Sequence, residues 1–386
     1  MRKILFLLLI MSATTAAVAQ DSLRIKMDSL LQHSMFTTTQ VGLMVYDLTA
    51  DSVLYQYQAK QLLRPASTMK LVTAITALDR LGGNYQYQTR IGYTGTLQNG
   101  KLQGDVYCVG GFDPMITVED VRAIAQQLHR NGVDTLQGRI FADHSMKEAL
   151  DYGEGWCWDD DNPRLRALTV GRKGDFVNQL IEELSADSVV LIDTNIGEGS
   201  CPENAVLLAT CSHSIDQALE RMMKKSDNFY AEAMFYQIAA SVAGKRWAKA
   251  SDARNGVRQL LRRAGVADGT YKIADGSGLS LYNYVTAELE VLLLRYAWRN
   301  EQIYRHLRPS LPVAGVDGTL EKRMRKTAAA GRVRAKTGTL TGISSLAGYA
   351  EAANGHELAF CIINQGVLRN QDGKNFQDRV CQVLCE

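Results

Sequence analysis

The chain has 386 residues, 46% of them hydrophobic and 22% charged, long enough for two structural units or for one unit carrying a large insertion. Its 43 basic and 41 acidic residues nearly cancel without a block of like charge, a balance that gives no reason for nucleic acid or anionic lipid as a partner. After the first twenty residues no segment offers about 18 uninterrupted apolar residues, so no stable membrane span is expected.

The opening MRKILFLLLIMSATTAAVAQ has a basic start, an apolar stretch from Ile4 to Met11 and the small-residue run Ala17-Val18-Ala19. This pattern predicts a secretory signal peptide over 1–19. The apolar stretch is too short to span a bilayer, and the first cysteine is Cys108, so none is placed to carry a lipid at a new N-terminus. The expectation is an exported protein, periplasmic or extracellular, soluble or loosely attached to the envelope. Seven cysteines in such a chain permit disulfides, with Cys201 and Cys211 the favoured pair. Cys381 and Cys385, one turn apart on a final helix, are expected to be buried thiols rather than metal ligands.

The run VGLMVYDLTADSVLYQYQ predicts two strands joined at Thr49 to Ser52. A helix follows, with Pro65 near its start and Gly82-Gly83 as its stop. From about Asn84 the texture changes. A hairpin around Asn99-Gly100, an amphipathic helix capped by Thr117, and a strand in LQGRIFAD predict a smaller α/β domain inserted over 84–213. Helical patterns return in SIDQALERMMKK and NFYAEAMFYQIAASVAG. A three-strand meander turning at Thr341-Gly342 and Asn354-Gly355, then a terminal helix, close the chain. Strands at both ends predict one sheet shared by the termini, with 20–83 and 214–386 forming a discontinuous catalytic domain.

Three short motifs carry the chemistry. Ser67-Thr68-Met69-Lys70 heads an apolar helix, where side chains at i and i+3 are neighbours. Such a pair occurs by chance roughly once in a chain this long. Ser226-Asp227-Asn228 lies between two helical runs, where a capping turn is the bland alternative. Lys336-Thr337-Gly338 lies on a strand. The order S-x-x-K, S-D-N, K-T-G, on helix, loop and strand, is the signature shared by β-lactamases and penicillin-binding proteins.

The residue types suit acyl transfer. A serine hydroxyl needs an adjacent base, and a desolvated, neutral Lys70 can serve Ser67. Ser226 is placed to relay a proton toward a leaving amine, and the Asn228 amide to hold a peptide group by paired hydrogen bonds. Lys336 can attract a terminal carboxylate, Thr337 and Thr339 flank the bound peptide, and Gly338 allows close approach of the strand. Backbone N–H groups of Ser67 and Thr339 are the expected oxyanion donors. No cofactor and no metal is called for.

The sequence resembles the class C low-molecular-mass penicillin-binding proteins, the DacB-like serine-type D-Ala-D-Ala carboxypeptidase/endopeptidases. Beyond the motifs, the resemblance rests on PASTMKL, GGFDP, GWCWDD, SDNFYAEAM, DGSGLS, LPVAGVDGTL and AKTGTLTGISSLAGY. It implies an α+β, penicillin-recognising (β-lactamase/transpeptidase-like) core, with an antiparallel sheet flanked by helices and an inserted domain between the first two motifs. Peptidoglycan stem peptides are the implied substrates and β-lactam antibiotics the covalent inhibitors. The resemblance also implies that an aspartate of the tryptophan-aspartate segment, Asp160 with Asp159 as alternative, beside Trp158, binds the diaminopimelate side chain. The chain departs from the pattern at Phe112, where glycine is favoured, and at Leu281, where relatives often carry an arginine. The long insertion and DGSGLS argue against a β-lactamase. Retention of every motif residue argues against a catalytically silent wall-binding protein, and no G-x-S-x-G accompanies the histidines as a triad hydrolase requires.

Overall fold

The computed structural model describes residues 22–160, 162–244 and 246–386; the signal peptide expected over 1–19 lies outside the described residues. Both chain ends contribute to one antiparallel sheet of five strands. From the N-terminal part come β1 (Gln40–Asp47) and β2 (Ser52–Tyr57). From the C-terminal part come β12 (Val333–Leu340), β13 (Ile343–Glu351) and β14 (Glu357–Gln365), in the spatial order β12-β13-β14-β1-β2. The expected turns at Thr341-Gly342 and Asn354-Gly355 separate the last three strands. β1 and β14 pair from Gln40 with Gln365 to Asp47 with Leu358.

Alternation along β1 explains why this sheet has a helical layer on each face. Met44 and Tyr46 join the core built with helices Met69–Leu81, Asn228–Ala243 and Ala287–Trp298. Leu43 and Val45 point the other way and pack with Val380 and Leu384 of the terminal helix Asn370–Cys385. Helix Asn228–Ala243 is buried from Phe229 to Ala239, which is why its sequence is apolar on every side.

The strands between Gln86 and Ser214 form two further sheets. One orders β10 (Ile196–Glu198), β8 (Ile140–Asp143), β6 (Val106–Val109), β3 (Gln86–Tyr93) and β11 (Val206–Ser214). The other orders β4 (Thr96–Gln98), β5 (Lys101–Gln103), β7 (Thr135–Gln137) and β9 (Val190–Ile192). Helices Val118–Arg130 and Phe176–Ala186 cover them with a hydrophobic cluster of their own. The hairpin at Asn99-Gly100 and the Thr117 cap, completed as a capping box by Asp120, are as expected.

Two expectations are corrected. LQGRIFAD is not one strand, because its halves serve different sheets and the chain steps between them at Gly138 (φ +149°), where a Cβ would collide with the Gly104 carbonyl. Cys201 and Cys211 are not bonded; all seven cysteines are free thiols. Cys201 Sγ lies beside Gly92, which pairs with Leu207, whereas Cys211 pairs with Thr89. That places the two sulfurs about four strand residues apart, roughly 13 Å at 3.3 Å per residue, well beyond disulfide reach.

Candidate active site

Helix Met69–Leu81 starts immediately after a 3-10 turn over Ala66–Thr68. Thr68 does not cap it. Its hydroxyl instead donates to the Pro65 carbonyl (2.9 Å) and to Glu290 Oε1 (2.6 Å). The helix is buried from Met69 to Leu78, so the motif lysine sits inside an apolar layer. Ser67 remains half-buried at the surface of that layer.

Lys70 has no solvent exposure, and its Nζ donates to Ser67 Oγ (3.0 Å), Asn228 Oδ1 (2.7 Å) and the Ser277 carbonyl (2.7 Å). Burial pushes its pKa down to about 8, against the pull of Asp275, Glu232 and Asp227. A measurable fraction is therefore neutral near pH 7, the form that can accept the serine proton.

Opposite stands Lys336 on β12, also without solvent exposure, donating to Ser226 Oγ (2.8 Å) and the Thr337 carbonyl (2.6 Å). Burial first, and the Lys70 charge second, hold its pKa well below the usual lysine value. The two lysines thus compete for charge in one buried space. Thr337 donates to the Thr319 hydroxyl (2.8 Å), and Thr339 is exposed at the mouth.

Backbone conformation is unusual at both serines' segments, with Ala66 at φ +50° and Ser226 at φ +58°. Non-glycine residues there cost roughly 1–3 kcal/mol, which the surroundings must over-determine. Asp227 does so beside Ser226. It accepts the Phe229 N–H (3.1 Å) and pairs with Arg172 (3.2 Å) and Arg221 (3.0 Å). At Ala66 the constraint is steric, since Gly278 (φ +80°) and Gly338 crowd that turn. A Cβ on Gly338 would collide with Ser345 Oγ and lie 2.8 Å from the Pro65 carbonyl and 2.9 Å from the Ser67 nitrogen. Gly338 accordingly lets β12 approach the turn that carries Ser67, a tighter role than the expected approach to substrate.

The motif residues Ser67, Lys70 and Asn228 are joined by direct hydrogen bonds, and Ser226 and Lys336 by another. Asn228 differs in detail from expectation. Its Oδ1 is occupied by Lys70, while Nδ2 reaches Asn162 Oδ1 (3.4 Å), so the amide offers a ligand its donor side rather than a pair of bonds. Trp158 is not drawn into this cluster, being 97% exposed. Asp160 closes a local turn through the Cys157 N–H (2.7 Å), and its carbonyl accepts the N–H of Asn162 (2.9 Å), the residue that touches Asn228.

Three buried acids escaped the sequence reading. Asp275 organises DGSGLS. It accepts the N–H groups of Gly278 (2.8 Å) and Ser280 (2.7 Å), the Asn283 amide (2.7 Å) and the Trp156 indole (2.9 Å). Glu232 accepts the N–H groups of Gly276 (3.1 Å) and Ser277 (2.8 Å), fixing the carbonyl that Lys70 uses; burial, then Asp275, raises its pKa to about 8. Glu290 accepts from Thr68 and from the Cys361 thiol (3.2 Å), and burial raises its pKa to about 7. Leu281, the departure from the family pattern, receives Arg64: its Nε donates to the Leu281 carbonyl (2.9 Å), with the guanidinium over the Tyr284 ring (5.3 Å).

Comparison with known proteins agrees with this geometry. The chain matches the D-Ala-D-Ala carboxypeptidase 3 (S13) family over residues 23–170 and 163–386. It is 30% identical to a D-alanyl-D-alanine carboxypeptidase of Actinomadura sp. (strain R39), covering 92% of this chain and 83% of that one. It is 26% identical to the D-alanyl-D-alanine carboxypeptidase DacB of Haemophilus influenzae, covering 83% and 84%. The fold superposes on the crystal structure of penicillin binding protein 4 (dacB) from Haemophilus influenzae with a TM-score of 0.80 at 23% identity, over 88% of this chain and 93% of that one. The chain belongs to the S13 family.

Proposed function

We propose that this S13-family chain is a serine D-Ala-D-Ala carboxypeptidase acting on peptidoglycan stem peptides through an acyl-enzyme on Ser67. The observation that carries this reading is the position of the buried Lys70 amine, 3.0 Å from Ser67 Oγ and 2.7 Å from Asn228. The names of its relatives supply the substrate.

Ser67 Oγ attacks the carbonyl of the penultimate D-Ala while neutral Lys70 takes its proton. The oxyanion is met by the N–H groups of Ser67 and Thr339. Ser226 passes a proton to the departing D-Ala nitrogen and is replenished from Lys336. Thr337 and Thr339 hold the terminal carboxylate, whose arrival favours the charged form of Lys336. Water then cleaves the ester and releases the shortened peptide. A β-lactam enters by the same attack, but its leaving nitrogen stays tethered in the opened ring, so the adduct persists.

A cavity of about 460 Å³ opens beside Asn162, with Arg164, Arg166 and Arg172 on its wall. That space favours a D,D-endopeptidase activity on cross-linked peptides as a second reading. We infer also that 84–213 is an inserted domain, supported by its own sheets and cluster, and that the chain works outside the cytoplasm where the substrate lies. Among the described residues no helix is long and apolar enough to cross a membrane.

Intact-protein mass spectrometry after benzylpenicillin tests the reading. One stable adduct with the mass of the whole drug is expected, absent in Ser67→Ala, together with D-Ala release from a pentapeptide. No adduct on the wild type, or an adduct kept by the variant, removes Ser67 as nucleophile. An adduct that vanishes within seconds favours a β-lactamase.

A further inference from the structure

Far from Ser67 in sequence, β11 ends in Cys211-Ser212-His213-Ser214. Alternate strand residues share a face, so Cys211 and His213 point the same way, toward the first turn of helix Val118–Arg130. There Asp120 completes the third corner. Its Oδ2 lies 3.7 Å from His213 Nε2, and the sulfur, imidazole and carboxylate ligand atoms all lie within 4.8 Å of one another. All three residues are half-buried.

Two of the three ligands are held from behind. The Thr117 N–H and hydroxyl both donate to Asp120 Oδ2 at 2.8 Å. His213 Nδ1 lies 2.7 Å from Oδ2 of Asp113, a carboxylate with no side-chain exposure whose Oδ1 accepts the Met115 N–H at 2.9 Å. A neutral imidazole that donates a hydrogen bond from its Nδ1–H to a buried carboxylate presents Nε2 as a lone pair in a fixed direction. That arrangement is how protein sites orient a metal-binding histidine.

We propose that Asp120, Cys211 and His213 form a divalent-cation site of zinc type, with the fourth position open to water and Asp113 as the residue that orients His213. Bonds of about 2.0–2.3 Å in a tetrahedron place ligand atoms about 3.3–3.7 Å apart, so closing around the ion moves them by an ångström or so. The mixed sulfur, nitrogen and oxygen set suits a borderline ion such as Zn²⁺ and is a poor match for Mg²⁺ or Ca²⁺. On binding, the Cys211 thiol gives its proton to solvent and its sulfur lone pair to the metal, without redox change.

The place of the site gives the ion a structural task. Ser214 caps helix Ile215–Lys224, which leads directly into Ser226-Asp227-Asn228. Phe112, adjacent to Asp113, packs on Phe229 and Tyr236 at 5.5 and 5.9 Å between ring centroids. A metal there ties the first turn of helix Val118–Arg130 to the end of β11, the strand that runs into the helix leading to the S-D-N motif.

Cobalt titration of the full chelator-stripped chain tests this. Co²⁺ is expected to bind one to one with a thiolate-to-cobalt charge-transfer band in the near ultraviolet, displaced by Zn²⁺, and Zn²⁺ is expected to raise the melting temperature. Cys211→Ser should abolish the band, His213→Ala should abolish tight binding, and Asp113→Asn should weaken it about 10–100-fold. Cys157→Ser should keep the band, because Cys157 is an exposed thiol away from the cluster. A cooperative melt in each variant shows that it folds. Absence of the band in the wild type, or its survival in Cys211→Ser, overturns the proposal.

Discussion

Lys70 Nζ and Asn228 Oδ1 are 2.7 Å apart although 158 positions separate them in the chain. This bond ties the lysine of the first motif to the second motif, and it orients the amide so that a neutral oxygen, not a charge, faces the ammonium. With no carboxylate in contact, desolvation dominates and the Lys70 pKa sits at about 8.

The rate of acylation by benzylpenicillin should therefore rise with pH through about 8, since neutral Lys70 is the active form. Asn228→Asp places a carboxylate against the ammonium, which stabilises the charged form by about one unit or more. Stopped-flow profiles should show the midpoint moving upward and the rate at pH 7 falling about 10-fold. Lys70→Ala should fold normally and lose acylation by several orders of magnitude. A profile that does not move in Asn228→Asp would assign the titration to another group.

Gly338→Ala should damage catalysis more than stability. The new Cβ meets Ser345 Oγ and the backbone of Pro65 and Ser67, and the overpacking costs about 1–3 kcal/mol. Pushing β12 away from the turn that carries Ser67 should slow acylation by up to about 10²-fold, the cost of a misplacement of about 1 Å. Adding Ser345→Ala should recover only part of the rate, because the backbone contacts remain. Full recovery would mean that the Ser345 hydroxyl alone sets the spacing.

Glu290 links stability to pH. Burial raises its pKa to about 7 from a usual value near 4.5, so the fold favours the neutral acid. The stabilisation is complete below the unfolded value and is lost as pH rises through about 7. Melting temperatures of the wild type should fall between pH 5 and 8, and Glu290→Gln, which cannot ionise, should flatten that decline. Glu232, raised to about 8 from a usual value near 4.5, should leave a residual slope across the same range, extending up to about pH 8. An unchanged slope between pH 5 and 7 in Glu290→Gln would show that the acid titrates without cost.

Variants at Asp160 and Arg64 test the proposed recognition of the peptide side chain. Asp160→Ala should lower kcat/KM about 10-fold or more on peptides with a free side-chain amine, as for loss of a charge-assisted contact of about 1.5–3 kcal/mol. Acylation by penicillin, which lacks that amine, should hardly change. Leu281 alone predicts weak discrimination between a free and an amidated side-chain carboxylate, but Arg64 supplies a cation at the Leu281 carbonyl. Arg64→Ala should raise KM for the free acid and leave the amide as it was. Equal effects on both peptides would remove Arg64 from recognition.

The legible parts of this protein were those written in local pattern. Turn pairs at Thr341-Gly342 and Asn354-Gly355, the Thr117 cap and the S-x-x-K spacing each depend on a few adjacent residues. Glu232 and Glu290 were invisible because a lone acid in an apolar run reads as noise until its partners arrive from other segments, the N–H groups of Gly276 and Ser277 in one case and Thr68 with Cys361 in the other. LQGRIFAD has the alternation of one strand, and only the closeness of Gly104 to Gly138 shows why it must break. The Cys201–Cys211 pairing failed for a similar reason: sequence distance says nothing about register along β11.

The pairing of β1 with β14 sets when in folding the motif residues can come together. Ser67 is made early, but the strand carrying Lys336 and the partner that covers β1 come near the very end of the chain. Long-range antiparallel pairing of this kind closes late, after its loop entropy has been overcome. A growing or interrupted chain therefore holds a serine with no assembled hydrolytic centre around it, and cutting ability arrives only with completion.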